Sequence, residues 1–241
     1  MKEIEIVGGG LAGLALGRAL LREGVAVEVH EAQDYPRHRV CGEFICGLRD
    51  ETITKLDLAA FLRDAPRHRS MAWHWRGRLL GRNTLPKPAI GLSRHTLDHR
   101  LARAFSESGG RLTTRSRINT SDARPGRIWS TGRRVGDGEW LGLKTHCSER
   151  ALSADLEFHL GQGAYVGACA VEAGAINVCG LFRRRPGLRA PAGGLLTAYL
   201  RASGLPELAG RVEAAAIPGT QASVAAINFD RHPPQHRMAV G

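Results

Sequence analysis

Three glycines near the start of the chain have the spacing of a phosphate-binding turn. Gly8-x-Gly10-x-x-Gly13 separates an apolar run at 4–7 from a helical pattern at 11–23. The first glycine permits a tight turn, the second lets a pyrophosphate approach the backbone, and the third lets helix and strand pack closely. A helix that starts there points unpaired N–H groups and about half a positive charge at the anion. The pattern runs on through Gly17 and Gly24 to Glu31, at the end of a second apolar run at 25–30. A carboxylate in that position accepts hydrogen bonds from ribose hydroxyls. It would repel a 2′-phosphate, which disfavours NADP as the ligand of this site. Farther on, Arg94 stands just ahead of a helical pattern, where a guanidinium suits phosphate or carboxylate contact, a surface ion pair being the other reading.

These residues need elements to hold them. Residues 4–7, 11–23 and 25–30 read as strand, helix and parallel strand, a βαβ unit closed by Gly24. A helix is expected at 51–62 and a basic, Trp-containing strand within 67–82. Residues 93–110 form the next helix: Leu97, Leu101, Ala104 and Phe105 make its stripe, Ser93 or Thr96 its cap, and Gly109-Gly110 its stop. Strands are expected at 111–118 and 126–132. Beyond 138 the period changes to two. In 153–160, Ala154, Leu156, Phe158 and Leu160 face one way, and Ser153, Asp155, Glu157 and His159 the other, a half-exposed antiparallel strand. Residues 164–171 and 175–182 read as a hairpin about 172–174, followed by helices at 193–203 and 206–215.

The 241 residues suffice for one large domain or two interleaved ones, with 43% hydrophobic and 24% charged residues. The net charge of +11 comes from 34 basic residues, of which only Lys2, Lys55, Lys87 and Lys144 are lysines. The arginines are spread along the chain. The one tight run, Arg183-Arg184-Arg185, has no interleaved aromatics, so nucleic acid is not expected as a partner. Five cysteines do not make a disulfide framework, no leader precedes the first strand, and the apolar stretch 164–182 is broken by Glu172 and Asn177. A cytoplasmic protein without stable membrane insertion is expected. Ten histidines show no metal-ligand spacing; His95 and His99 are four apart but lack the glutamate of a zinc-protease helix, so no metal is expected.

The extended glycine pattern, "RHRVCGEF" (37–44), "GLSRHTLDHRLARAFSESGG" (91–110) and "IWSTGR" (128–133) together resemble the FAD-dependent oxidoreductases of the aromatic-hydroxylase and geranylgeranyl-reductase superfamily, with flavin halogenases as relatives. The resemblance covers most of the chain. It implies an α/β fold: a Rossmann-like FAD-binding domain with a parallel sheet (1–66, 90–133 and 224–241) and an inserted antiparallel β-rich substrate domain (67–89 and 134–223). Gly8, Gly10, Ala12 and Gly13 would wrap the pyrophosphate beside Leu11. Glu31 would hold the adenosine ribose next to Ala32. Arg39, Cys41 and Gly42 would approach the ribityl chain and flavin ring, Arg94 the cofactor from its helix, and Ile118, ending its strand, the adenine. "HRMAVG" (236–241) resembles a segment that relatives continue as V-G-D-A-A-G, implying a C-terminally truncated flavin domain.

The implied function is FAD-dependent oxidation or reduction, of monooxygenase or reductase type, on a small organic substrate, with NAD(P)H a candidate electron donor. Flavin chemistry belongs mostly to the cofactor, so no catalytic triad is expected. The catalytic candidates are Cys41 and Tyr165. Tyr165 would bond substrate or serve as a core tyrosine, and the small residues at 167–170 would leave room beside the ring. Cys41 and Cys46 share the C-x4-C spacing of flavin disulfide reductases but lack their glycine-rich lead-in and proline. The favoured reading makes Cys41 a small residue near the flavin and Cys46 a buried apolar one. Two alternatives stay open: a non-catalytic FAD- or ADP-binding remnant, and a disulfide reductase using the Cys41/Cys46 pair.

Overall fold

A computed structural model describes residues 3–119, 121–122, 124–132, 137–148, 152–190 and 194–227. In chain order the elements are β1 (Ile4–Val7), α1 (Leu11–Arg22), β2 (Val27–His30), β3 (Phe44–Ile45), α2 (Asp50–Lys55), β4 (Arg67–Trp75), β5 (Arg78–Gly91), α3 (Arg94–Glu107), β6 (Arg111–Thr113), β7 (Arg127–Trp129), β8 (Trp140–Cys147), β9 (Leu156–Gly161), β10 (Ala164–Ala170), β11 (Ile176–Arg183), α4 (Gly194–Ala202), α5 (Pro206–Ala215) and β12 (Ala222–Ile227).

The expected βαβ unit forms. β1 lies between β2 and β7 in a four-stranded parallel sheet of order β6-β2-β1-β7. Burying both faces of such a sheet explains its apolar runs. Ile6, Leu14, Val29, Leu101 and Phe105 form the centre of its core, and each is almost wholly buried. The second sheet has eight strands in the order β12-β8-β11-β10-β9-β4-β5-β3. Its pairs are antiparallel except β4 with β9. One of its faces is covered by α4 and α5 around Val166, Phe182, Leu200 and Ala209. The β10–β11 hairpin runs through Glu172–Gly174, as expected. Among the described residues, no helix is long and apolar enough to cross a membrane.

Several expectations need correction. The helix expected at 51–62 is broken, because Asp57 takes φ 52. α2 ends at Lys55 and a single 3-10 turn follows at Ala59–Leu62. Buried Arg18 of α1 fastens this segment through Asp57, at 3.0 Å, and lies over the Phe61 ring. The strand expected at 111–118 stops at Thr113. The 67–82 segment is a hairpin whose second strand runs to Gly91. β9 is not half-exposed: Glu157 and His159 are 1% and 4% exposed, because β9 has neighbours on both sides and helices over that face. Residues 224–227, assigned above to the dinucleotide-binding part, pair with β8 in the large sheet, and Phe44–Ile45 pairs with β5 in the same sheet. "HRMAVG" lies outside the described residues.

Candidate functional site

The glycine turn is built on contacts that exclude side chains. Gly8 has φ +113, and a Cβ there would lie 2.2 Å from the Ser130 carbonyl oxygen. A Cβ on Gly13 would lie 2.0 Å from the Gly8 oxygen, so α1 starts directly on the turn. The N-terminus of α1 has no side-chain cap among the described residues and no acidic residue in its first turn. The N–H groups of Leu11, Ala12 and Gly13 have no intrahelical acceptor and stand at the positive end of the helix. The start of α3 is different. Ser93 Oγ accepts from the Thr96 N–H at 3.0 Å, and Glu172 accepts from the Ser93 N–H at 2.8 Å. The protein's own carboxylate occupies that end.

Glu31, 5% exposed, accepts from the N–H groups of Gly9 (2.9 Å) and Gln33 (3.0 Å). Arg37 approaches its carboxylate at 2.9 Å and Arg39 at 3.5 Å. The Tyr35 hydroxyl donates to the Gly9 carbonyl; burial, then the Glu31 charge, push its phenol well above the ordinary range. Arg39 also lies 3.5 Å from Asp98. Arg94 grips Asp98 with two hydrogen bonds, at 2.7 and 2.8 Å. Burial opposes the Arg94 charge, but Asp98 outweighs it and raises the pKa. The Arg94 guanidinium lies 3.7 Å from where a side chain on Gly10 would begin and within hydrogen-bonding reach of Cys41.

The turn (Gly8, Gly10, Leu11, Ala12 and Gly13), Glu31 with half-buried Ala32, and Arg39, Cys41 and Arg94 thus lie linked by near contacts. Ile118 does not end a strand as expected. It lies in coil five residues past the end of β6, and the backbone that meets Glu31 is that of Thr113 and Ser116.

Gly42 and Glu43 carry the loop across to the face of the large sheet opposite α4 and α5. The Gly42 carbonyl accepts from Asn177 Nδ2 at 2.8 Å and Cys169 Sγ at 3.3 Å. Glu43, 2% exposed, takes φ 53, a conformation costly for a residue with a side chain. Its Oε1 accepts from the Arg94 N–H (2.9 Å) and Lys144 Nζ (2.8 Å), and its Oε2 lies 2.6 Å from His146 Nε2. Its own carbonyl accepts from the Leu92 N–H at 3.0 Å. Burial pushes the Glu43 pKa up, but His146 and Lys144 together bring it below the ordinary value. His38 packs against His146 and stacks on His95. Burial, then the Lys144 charge, depress its pKa to about 4, so it is neutral near pH 7.

Of the remaining candidates, Tyr165 is 40% exposed and stacks on Phe158, which stacks on Trp73. This aromatic row shares a face with Cys169, but Tyr165 stands four residues, about 13 Å, along β10 from it. A Cβ on Gly167, between them, would only touch the Phe158 ring at 3.9 Å and the Cys179 carbonyl oxygen at 4.0 Å. Cys46 is exposed rather than buried, since it follows the two-residue edge strand β3. None of the five cysteines is in a disulfide, and burial keeps the thiols of Cys169 and Cys179 protonated. An open groove of about 490 Å³ is lined by Asp64, Pro66, Leu152, Glu172 and Ile176 and holds no residue of the glycine turn.

Lys144, His146, Asp98 and Asn177 were not singled out from sequence. One signal was there: in the apolar stretch "WLGLKTHC", Lys144 and His146 are two apart and share a strand face.

No family model and no curated protein sequence matches the chain. Solved structures do share its fold. A probable FAD-dependent monooxygenase from Pseudomonas aeruginosa, PqsL, is 14% identical with a TM-score of 0.71, over 100% of this chain and 78% of that one. HpxO of Klebsiella pneumoniae, solved with FAD and uric acid, is 15% identical with a TM-score of 0.69, over 93% of this chain and 67% of that one. A flavoprotein/dehydrogenase from Cytophaga hutchinsonii is 12% identical with a TM-score of 0.68, over 92% and 66%. The chain spans about two thirds to three quarters of the length of these proteins.

Proposed function

We propose that this chain binds FAD by its ADP half and works as an FAD-dependent oxidoreductase of the monooxygenase or reductase type. The observation that carries the reading is the meeting of an uncapped α1 N-terminus with Glu31, Arg39, Cys41 and Arg94 around one site. The N–H groups of Leu11, Ala12 and Gly13 would hold the pyrophosphate, and Glu31 the adenosine ribose. Arg39 and Arg94, each braced by Asp98, would meet the phosphates and the ribityl hydroxyls. Glu43 pins the Cys41–Gly42 backbone between α3 and the large sheet, and so sets where the flavin ring would lie. The row Trp73, Phe158 and Tyr165 suits a flat organic substrate on the same sheet face. When bound, the flavin supplies the redox chemistry; the residues orient it and shield it from water.

FAD-containing neighbours of the same fold support the cofactor. The test is reconstitution of the full chain with FAD, followed by anaerobic NAD(P)H and then oxygen. Bleaching of the flavin band and its return with oxygen are expected. A protein that retains FAD but is reduced by neither NAD(P)H nor dithionite would be a binding module, not an oxidoreductase. Removing the Glu31 carboxylate (Glu31→Ala) should weaken FAD by about 10- to 100-fold, the equivalent of one or two charged hydrogen bonds.

A further inference from the structure

A second polar cluster lies on the opposite face of the large sheet. β4 and β9 run parallel with His74 directly beside His159, and their imidazoles stack at 4.6 Å and 15°. Glu157 precedes His159 by two residues and faces the same way. His159 Nε2 lies 3.0 Å from Glu157 Oε2, and one donor atom from each of the three residues lies within 4.8 Å of the others. Glu157 and His159 are buried, and His74 is partly so. His74 Nε2 is itself buried without a hydrogen-bond partner among the described residues, while the ring bonds the Gly77 backbone through its other nitrogen. A buried nitrogen left without a partner is destabilising, and a bound ion would satisfy it. The Ser153 N–H holds the second oxygen of Glu157.

We infer that His74, Glu157 and His159 form a binding site for a borderline divalent cation of the zinc class. Two imidazoles and one carboxylate are a zinc donor set. Tetrahedral bonds of about 2.0–2.2 Å place ligand atoms about 3.4 Å apart, so modest closure of the three side chains completes the cage. The Gly77 backbone and the Ser153 N–H are the outer partners that orient such ligands. A cavity of about 130 Å³, lined by His74, His159, Arg76, Glu207 and Arg211, gives an entry path and room for a fourth ligand, water or Glu207. Arg211, 3.5 Å from Glu157 and 37% exposed at its side chain, competes for the carboxylate and turns outward when the ion binds. The site ties β4 and β9 beneath α5 and does not depend on FAD.

The test uses tag-free, metal-depleted full-length protein titrated with Zn²⁺ by calorimetry, and with Co²⁺ followed by its visible absorption. One equivalent of Zn²⁺ and a four- or five-coordinate Co²⁺ spectrum with nitrogen ligation are expected. His74→Ala and His159→Ala should each weaken Zn²⁺ by more than about 100-fold, beyond the loss seen for an outer partner. His146→Ala should leave the stoichiometry at one, which separates this site from the Glu43 cluster. Absence of binding by the wild-type protein, an octahedral Co²⁺ spectrum, or binding that survives both His74→Ala and His159→Ala would overturn the inference. Where an alanine variant fails to fold, His74→Gln and His159→Gln take its place, and unchanged Zn²⁺ affinity in both overturns the inference.

Discussion

Glu43 makes one ion pair with Lys144, and both side chains are fully buried. Removing one partner leaves the other charge without compensation in the interior, at about 3–5 kcal/mol. Lys144→Met should therefore lower the urea-unfolding free energy by about 3 kcal/mol or more. The double variant Lys144→Met/Glu43→Gln should recover part of that loss, since the uncompensated charge is gone. An equal loss in both would show that the pair itself is not what holds the loop. At this scale the legibility of the site follows chain distance. The glycine turn and Glu31 lie within one βαβ unit, and their spacing carries the meaning. Lys144 meets Glu43 across 101 positions, so nothing near either residue announces the other. The strand expected to end at Ile118 stops at Thr113 for a local reason: the backbone of Thr113 and Ser116 turns to hydrogen-bond that of Glu31.

The two helix starts at the site differ in what fills them. α3 begins under Ser93 and Glu172, whereas α1 begins on bare backbone. An anion placed at α1 meets the unpaired N–H groups and the positive end of the helix dipole together. Gly13→Ala brings a methyl into the Gly8 carbonyl, and the start of α1 must shift to admit it. We expect about 1–3 kcal/mol of destabilisation by urea unfolding, together with loss of FAD binding. Unchanged affinity for FAD would show that the turn does not hold the pyrophosphate. The elements were legible where one period ran unbroken, as in α1, α3 and the β10–β11 hairpin. They were misread where tertiary cover decides. The polar residues of β9 alternate like a solvent face, yet α5 and β4 bury them. α2 keeps a helical pattern that the backbone of Asp57 interrupts.

At the scale of the molecule, a parallel sheet and a curled, mostly antiparallel one are joined by the 37–43 loop, and histidines gather at the joint. His38 there faces Lys144, His146, His95 and Glu43, and its pKa is held near 4 against 6.5 for a free imidazole. The unfolded chain takes up that proton below about pH 6.5 and the folded chain only near pH 4, so this part of the stability is intact above 6.5 and is lost as pH falls toward 4. The melting temperature should fall across that window, and less steeply in His38→Asn; an identical slope in both would remove His38 as the cause.

The central claim, that the ADP half of FAD is what this fold grips, is tested most directly by equilibrium binding of FAD, ADP and FMN to the full chain. The account predicts that FAD binds, that ADP competes with it, and that FMN, which lacks the ADP half, binds at least about 100-fold more weakly, a difference of nearly 3 kcal/mol. FMN binding as tightly as FAD, or FAD binding that ADP does not displace, would contradict it.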